Sequence, residues 1–263
     1  MKIIKLYLEN NPCYQAGEKI KVKGLMLHSV GCPQPKASVF INMWNKKTFN
    51  RACVHGFIDG NDGVVYQTLP WEYRGWHCGG KANDTHIGIE LCEPACIKYT
   101  EGSNFTCTDK EKAKEVVKRT YDAAVELFAS LCKKYKLDPL ADGVIISHKE
   151  GNKKGLASNH GDPEHLWKGL DTGYTMEGFR RAVAKKLNTK SEVKETVPFK
   201  VYIPITNLNI RRAAGINAAK TGKYTGKGVF TIVEVRSGKG SDKGWGKLKS
   251  GVGWIALDYV EKI

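Results

Sequence analysis

The 263-residue chain has no uninterrupted apolar run long enough to cross a bilayer. Its opening, MKIIKLYLENN, loses apolar character at Glu9, Asn10 and Asn11, before a secretory signal would be complete. Neither membrane insertion nor a signal peptide is expected. Cysteine is missing after Cys132, and the eight present, at positions 13, 32, 53, 78, 92, 96, 107 and 132, are dispersed, with only Cys92 and Cys96 close together. A structural zinc site wants two such close pairs. Reduced, mostly buried thiols are expected instead, with pairing after release into an oxidising medium left open. Acidic residues are the minority: 27 Asp and Glu stand against 42 Lys and Arg, a net charge of +15. That excess implies a polyanionic partner, whether nucleic acid, an anionic membrane surface or a teichoic-acid-bearing wall. No helix-turn-helix, zinc-finger or RNA-motif pattern accompanies the charge, which argues against nucleic acid.

At this length two domains are the natural expectation. The polar stretch TKSEVKETVP, residues 189–198, lacks apolar periodicity and ends in Pro198, as a linker would. It divides an expected catalytic domain, 1–188, from a smaller one, 199–263. The basic excess is concentrated in the smaller part: residues 190–263 hold 14 Lys and Arg against 6 Asp and Glu, an excess of eight, whereas residues 1–189 hold 28 against 21, an excess of seven. Attraction to an anion is therefore expected there.

In the longer part, GLMLHSV, ACVHGFID, GVVYQTL, HIGIELC and GVIISH read as strands, the second and third joined at Asn61-Asp62-Gly63 in a hairpin turn. Apolar residues from Ala113 to Tyr135 recur at helical spacing behind a capping box from Thr108 to Glu111. A second helix is expected over about Thr175 to Leu187, with Phe179, Val183 and Leu187 in register. This is α/β patterning, with a mixed central sheet flanked by helices. After the linker, KVYIPI, LNIRR, GVFTIVEVR, WGKL and GWIALDYV are short strands with frequent Gly and aromatic residues, the texture of a small all-β barrel.

Three metal-capable side chains fall at strand ends or in the loop beyond: His28 in GLMLHS, His148 in GVIISH and Asp162 in SNHGDPEHLW. Two histidines and a carboxylate leave a fourth position for water, the arrangement of catalytic rather than structural zinc. Each alone is equally a satisfied structural residue. Glu90 interrupts the apolar strand HIGIELC, and a buried carboxylate is costly without a purpose. It is either an ion-pair partner of Arg74 or Lys81, or a general base facing a polarised water.

With these residues in place, the chain from about Gly24 to Trp167 resembles the type 2 N-acetylmuramoyl-L-alanine amidases, whose fold is shared with peptidoglycan recognition proteins and phage amidases. The resemblance is carried by LMLHS, by VHGFIDGNDGVVYQTLP, by RGWHCGG followed by IGIEL, and by ISH with a DP step fourteen residues on. It implies zinc held by His28, His148 and Asp162, with Glu90 as the catalytic acid and base. It further implies hydrolysis of the bond between N-acetylmuramic acid and L-alanine in bacterial peptidoglycan. The position two before the third ligand, a Lys in many relatives that stabilises the transition state, is His160 here, so either His160 takes that role or it replaces Asp162 on the metal. His55, Trp76 and His77 are expected along the substrate groove, with strand packing the alternative for His55 and core packing for Trp71 and Trp76. His165 is a partner behind the site or simply exposed, and His86 is structural.

The tail, with Leu208-Asn209-Ile210-Arg211, GWGKL and GVGWI, resembles bacterial SH3-like wall-binding modules. Tyr202, Trp245 and Trp254 are its candidate wall-binding residues, with Tyr224 and Tyr259 beside them, although a small barrel also needs aromatic core. Together these features look like a phage or prophage endolysin, made in the host cytoplasm and acting on the wall after release. A non-hydrolytic peptidoglycan-binding protein on the same fold is the alternative.

Overall fold

The runs GLMLHS and HIGIEL contain almost no polar alternation, as strands covered on both faces require. The computed structural model, which describes residues 1–188 and 197–263, places them side by side in parallel as β2 (Gly24–Ser29) and β5 (His86–Leu91). Around them the first sheet is completed by β1 (Ile3–Lys5), β3 (Gly56–Ile58), β4 (Val65–Gln67) and β8 (Ile145–Ser147), in the order β1-β4-β3-β5-β2-β8. Only the β3–β4 pair is antiparallel, turning where Gly63 takes φ +71° and Asp59 accepts from the Asn61 N–H. The sheet is mixed, as the patterning predicts. Three strands of this unit escaped the sequence reading, β1 and the hairpin pair β6 (Ile97–Tyr99) and β7 (Phe105–Cys107), as did its short helices.

Alternation along β2 and β5 divides the sheet into two chemically different faces. Leu25, Leu27, Ile87, Ile89 and Leu91 point into the main core, where they meet Ala113, Val117, Leu127 and Phe128 of α3 (Lys110–Tyr135) and Phe179 and Val183 of α6 (Met176–Asn188). Phe128 and Phe179 meet edge to face at 5.1 Å, and burial of each such ring is worth about 1.5–3 kcal/mol. The start of α3 corrects the sequence reading: Asp109, not Thr108, is the cap, accepting from the Lys112 N–H, while the Thr108 hydroxyl donates to the Cys96 carbonyl. The other face of the sheet carries Met26, His28, Gly88 and Glu90. Four short helices complete this unit: α1 (Pro12–Ala16), α2 (Ala37–Trp44), α4 (His148–Lys153) and α5 (Glu164–Gly169).

The chain divides into two units, Met1–Asn188 and Thr189–Ile263. Residues 189–196 of the expected linker lie outside the described residues. The second unit is a seven-stranded antiparallel sheet, in the order β11-β10-β14-β13-β12-β9-β15. Its strands are β9 (Phe199–Ile203), β10 (Asn209–Arg211), β11 (Lys220–Tyr224), β12 (Gly228–Arg236), β13 (Trp245–Leu248), β14 (Trp254–Ala256) and β15 (Glu261–Lys262). The long β12 pairs with β9 along its first half and β13 along its second, with a register shift between Ile232 and Glu234 that lets it serve both. Val201, Ile203, Ile210, Ile232, Leu248 and Ile255 fill the interior.

Two of the three candidate wall-binding residues are corrected by this packing. Trp245 and Trp254 are 2% and 6% exposed, the first donating its indole N–H to the Gly238 carbonyl and the second covered by the Arg236 guanidinium at 5.2 Å. A sheet this small uses its largest rings to exclude water. Tyr202, by contrast, is 37% exposed and lies opposite the exposed Val229.

Candidate active site

Register brings the chemistry together. Strand β2 pairs in parallel with β8 through Leu27 and Ser147 and with β5 through His28 and Glu90, so the carboxyl ends of three parallel strands place His148, His28 and Glu90 side by side. Ligand sites in α/β sheets favour this edge, where strands end and loops begin. His148 is the first residue of α4, whose cap, Ser147, forms a full capping box with Glu150. Arg180 of α6 binds both carboxylate oxygens of Glu150 and also donates to the Ile145 carbonyl, tying the His148 turn to the helical layer. Asp162 arrives from the loop before α5 and accepts from the Ser29 N–H at 3.3 Å.

Three donor groups converge: His28 Nδ1 lies 3.0 Å from His148 Nδ1 and 3.3 Å from Asp162 Oδ2, and His148 Nδ1 lies 3.5 Å from Asp162 Oδ1. All three residues are buried. A tetrahedral zinc ion with bonds of about 2.0–2.1 Å sets its ligand atoms about 3.3 Å apart, so the observed spacings suit that ion. The chemistry of the set agrees, since two imidazole edges and a carboxylate facing one another without a cation place lone pair against lone pair. His28 accordingly takes up a proton more readily than usual: burial opposes this, but Asp162 and then Glu90 outweigh it. Burial and the neighbouring His28 push His148 down to about 4. Burial would raise Asp162, and the hydrogen bond and charge of His28 hold it low instead.

Glu90 stands beside this cluster. Part of the residue reaches the surface, but Oε2 is shut off from solvent and has no hydrogen-bond partner among the described residues. Burial raises its carboxyl to about 8, opposed by His28 and supported by Asp162 and Glu93. Neither ion-pair partner considered for it is there among the described residues, because Arg74 pairs with Asp84 and Glu18. A desolvated carboxylate next to a cation site can hold a proton and release it near neutrality.

His160 is exposed, and its Nδ1 lies 3.2 Å from Nε2 of His148, the edge that faces away from the converging donors. The structure therefore groups Asp162, not His160, with the two histidines. Of the expected groove residues, His55 is corrected: it is fully buried, its Nε2 donating to the Tyr73 carbonyl and its Nδ1 accepting from the Gly88 N–H, and burial pushes it down to about 4. Half-buried Trp76 exchanges backbone hydrogen bonds with Cys53 and packs against the second core cluster. His77 stands behind His28, with both ring nitrogens turned inward. His165 is a partner of Tyr99, whose hydroxyl also donates to fully buried Glu93, and Glu93 in turn accepts from the Gly31 N–H. Sequence reasoning missed Glu93, Tyr99 and Ser158, because nothing in CEPAC or in the hairpin marks residues that meet only in space.

A sequence profile described as N-acetylmuramoyl-L-alanine amidase matches residues 18–165. Among solved structures, the Staphylococcus aureus hydrolase AmiA in complex with its ligand shares 19% identity with this chain. The match covers 71% of this chain and 83% of that one, with a TM-score of 0.54, a likeness of fold. PlyL matches at 18% identity over 71% of this chain and 99% of its own, TM-score 0.49. A mutant endolysin from Bacillus subtilis matches at 21% identity over 70% and 99%, TM-score 0.45. No curated protein matches the chain.

Proposed function

The chain belongs to the N-acetylmuramoyl-L-alanine amidase family, whose profile matches more than half of its length, and from that membership we propose that it hydrolyses the amide between N-acetylmuramic acid and L-alanine in bacterial peptidoglycan with the help of zinc. The observation that carries the reading is the convergence of His28, His148 and Asp162 at zinc-like spacing beside the unpartnered Oε2 of Glu90.

When bound by these three residues, zinc supplies a Lewis acid that polarises the scissile carbonyl and makes water acidic enough to attack near neutral pH. Glu90 takes the proton from the attacking water, since its carboxyl is desolvated and its residue lies beside His28 in the strand register, and returns it to the departing amine of alanine. His160 donates a hydrogen bond to the oxygen that gains charge in the transition state. Asp162 is held for its part by the Ser29 N–H, and His148 by the capped turn that Arg180 anchors.

The second unit serves, in this reading, as an SH3-like module that holds the enzyme on the wall. Its support is the basic excess of residues 190–263 and the exposed Tyr202, Tyr224 and Tyr259. Peptidoglycan and anionic wall polymers are the proposed partners, and a phage or prophage endolysin acting on the wall after release is the proposed setting. The alternative, binding without cutting, would be favoured by loss of a ligand or of the carboxylate, and all four residues are present. The deciding experiment is digestion of purified walls. Release of L-alanine amino termini without new reducing sugars is expected; new reducing ends, or no new ends of either kind, would overturn the proposal.

A further inference from the structure

Both histidines of the cluster turn Nδ1 toward each other and toward Asp162. A neutral imidazole binds a metal through the nitrogen that carries no proton, so whatever holds the other nitrogen decides which edge is available. For His28 that partner can be read without ambiguity. His77 Nε2 lies 3.1 Å from the carbonyl oxygen of His86, which can only accept, so His77 carries its proton on Nε2. In the neutral ring His77 Nδ1 is then an acceptor, and it lies 2.9 Å from His28 Nε2, which must donate. The only lone pair left on the His28 ring is on Nδ1, the edge facing Asp162.

This wire needs a neutral His77, whose two ring nitrogens face an uncharged carbonyl and another imidazole, neither of which supplies a negative charge to hold a second proton. It also needs room. A Cβ at Gly88 would lie 2.4 Å from His77 Cγ, and one at Gly75 would lie 2.8 Å from its Cδ2, so two glycines form the slot in which the ring sits. His148 has a looser arrangement. Its Nε2 lies 3.2 Å from the Ser158 hydroxyl, which is itself 3.0 Å from the Cys78 carbonyl and 3.1 Å from His160 Nδ1. A hydroxyl rotates, so that contact does not dictate a tautomer.

We infer that His77 is a positioning residue that holds His28 in its Nε2–H form and thereby dedicates Nδ1 to the metal, an inference that rests on the zinc reading of the cluster. The test uses the full chain and zinc ion alone. In competition with a chromophoric chelator, His77→Leu should bind zinc about 10- to 100-fold more weakly. His77→Gln offers an acceptor and a donor on one planar group and should recover most of that loss. In metal-free protein, at a pH where His28 is neutral, long-range proton–nitrogen NMR should find the His28 proton on Nε2. Unchanged zinc affinity in His77→Leu, or a His28 proton on Nδ1, would overturn the inference. Failure of the wild-type chain to bind zinc would overturn the metal reading instead, and the NMR tautomer, read without metal, still decides the role of His77 if the Leu variant does not fold.

Discussion

The two units use their conspicuous residues in opposite ways. In the first, side chains separated by 120 positions, His28 and His148, meet within hydrogen-bond distance because parallel strand register puts β2 and β8 in line. In the second, residues of one chemical kind part company: Trp245 and Trp254 go inside, and Tyr202, Tyr224 and Tyr259 stay at the surface. The lesson is that a polar side chain at the end of an apolar strand has few places to go, whereas an aromatic ring in a small sheet serves core and surface equally well.

The sharpest way to test the first half of this contrast is to remove a ligand. His28→Ala, His148→Ala and Asp162→Ala should each lose stoichiometric zinc and reduce wall hydrolysis to background, measured by metal analysis and release of alanine amino termini. A variant that keeps both would take its residue out of the cluster's chemistry. Glu90→Gln should keep zinc and fold while turnover falls about 10²- to 10⁴-fold, the usual share of a general acid and base. Near-normal turnover would leave Glu90 a structural carboxylate.

The second half breaks or holds on stability against binding. Trp245→Ala should destabilise the second unit by about 3–5 kcal/mol, the cost of emptying a core site, read by chemical unfolding. Tyr202→Ala should leave stability within about 0.5 kcal/mol and weaken attachment to purified walls, more so as salt is raised. Equal destabilisation by the two would erase the distinction between inner and outer aromatics.

The remaining test is a pH slope. The Glu90 carboxyl is raised from 4.5 to about 8 by burial, so between those values the folded state keeps a proton that the unfolded chain has released. Its contribution to the stability of the metal-free protein must therefore fall as pH rises through that window. Glu90→Gln should remove this slope, its stability gain over wild type growing from pH 5 to pH 8 in the presence of a chelator. A gain that shrinks with pH would mean that the carboxylate is solvated or paired.

How much of this was legible in one dimension follows from the range of the forces involved. Apolar continuity in GLMLHS and HIGIEL, the turn at Asn61-Asp62-Gly63 and the periodicity from Ala113 to Tyr135 are local properties, and they specified the central strands, the hairpin and the long helix. The same locality made His28, Glu90 and His148 visible, because a polar group at the end of an apolar run stands out from its neighbours. What only the tertiary structure decided depends on contacts between distant segments. These include the cap at Asp109 in place of Thr108, the burial of His55 and of both C-terminal tryptophans, and the Glu93–Tyr99–His165 chain. The choice of Asp162 over His160 as the third donor belongs with them. His77 shows the reason most plainly: its protonation pattern is set by the carbonyl of His86 on one side and by His28 on the other, in a slot kept open by Gly75 and Gly88, and no sequence spacing records which way a ring faces.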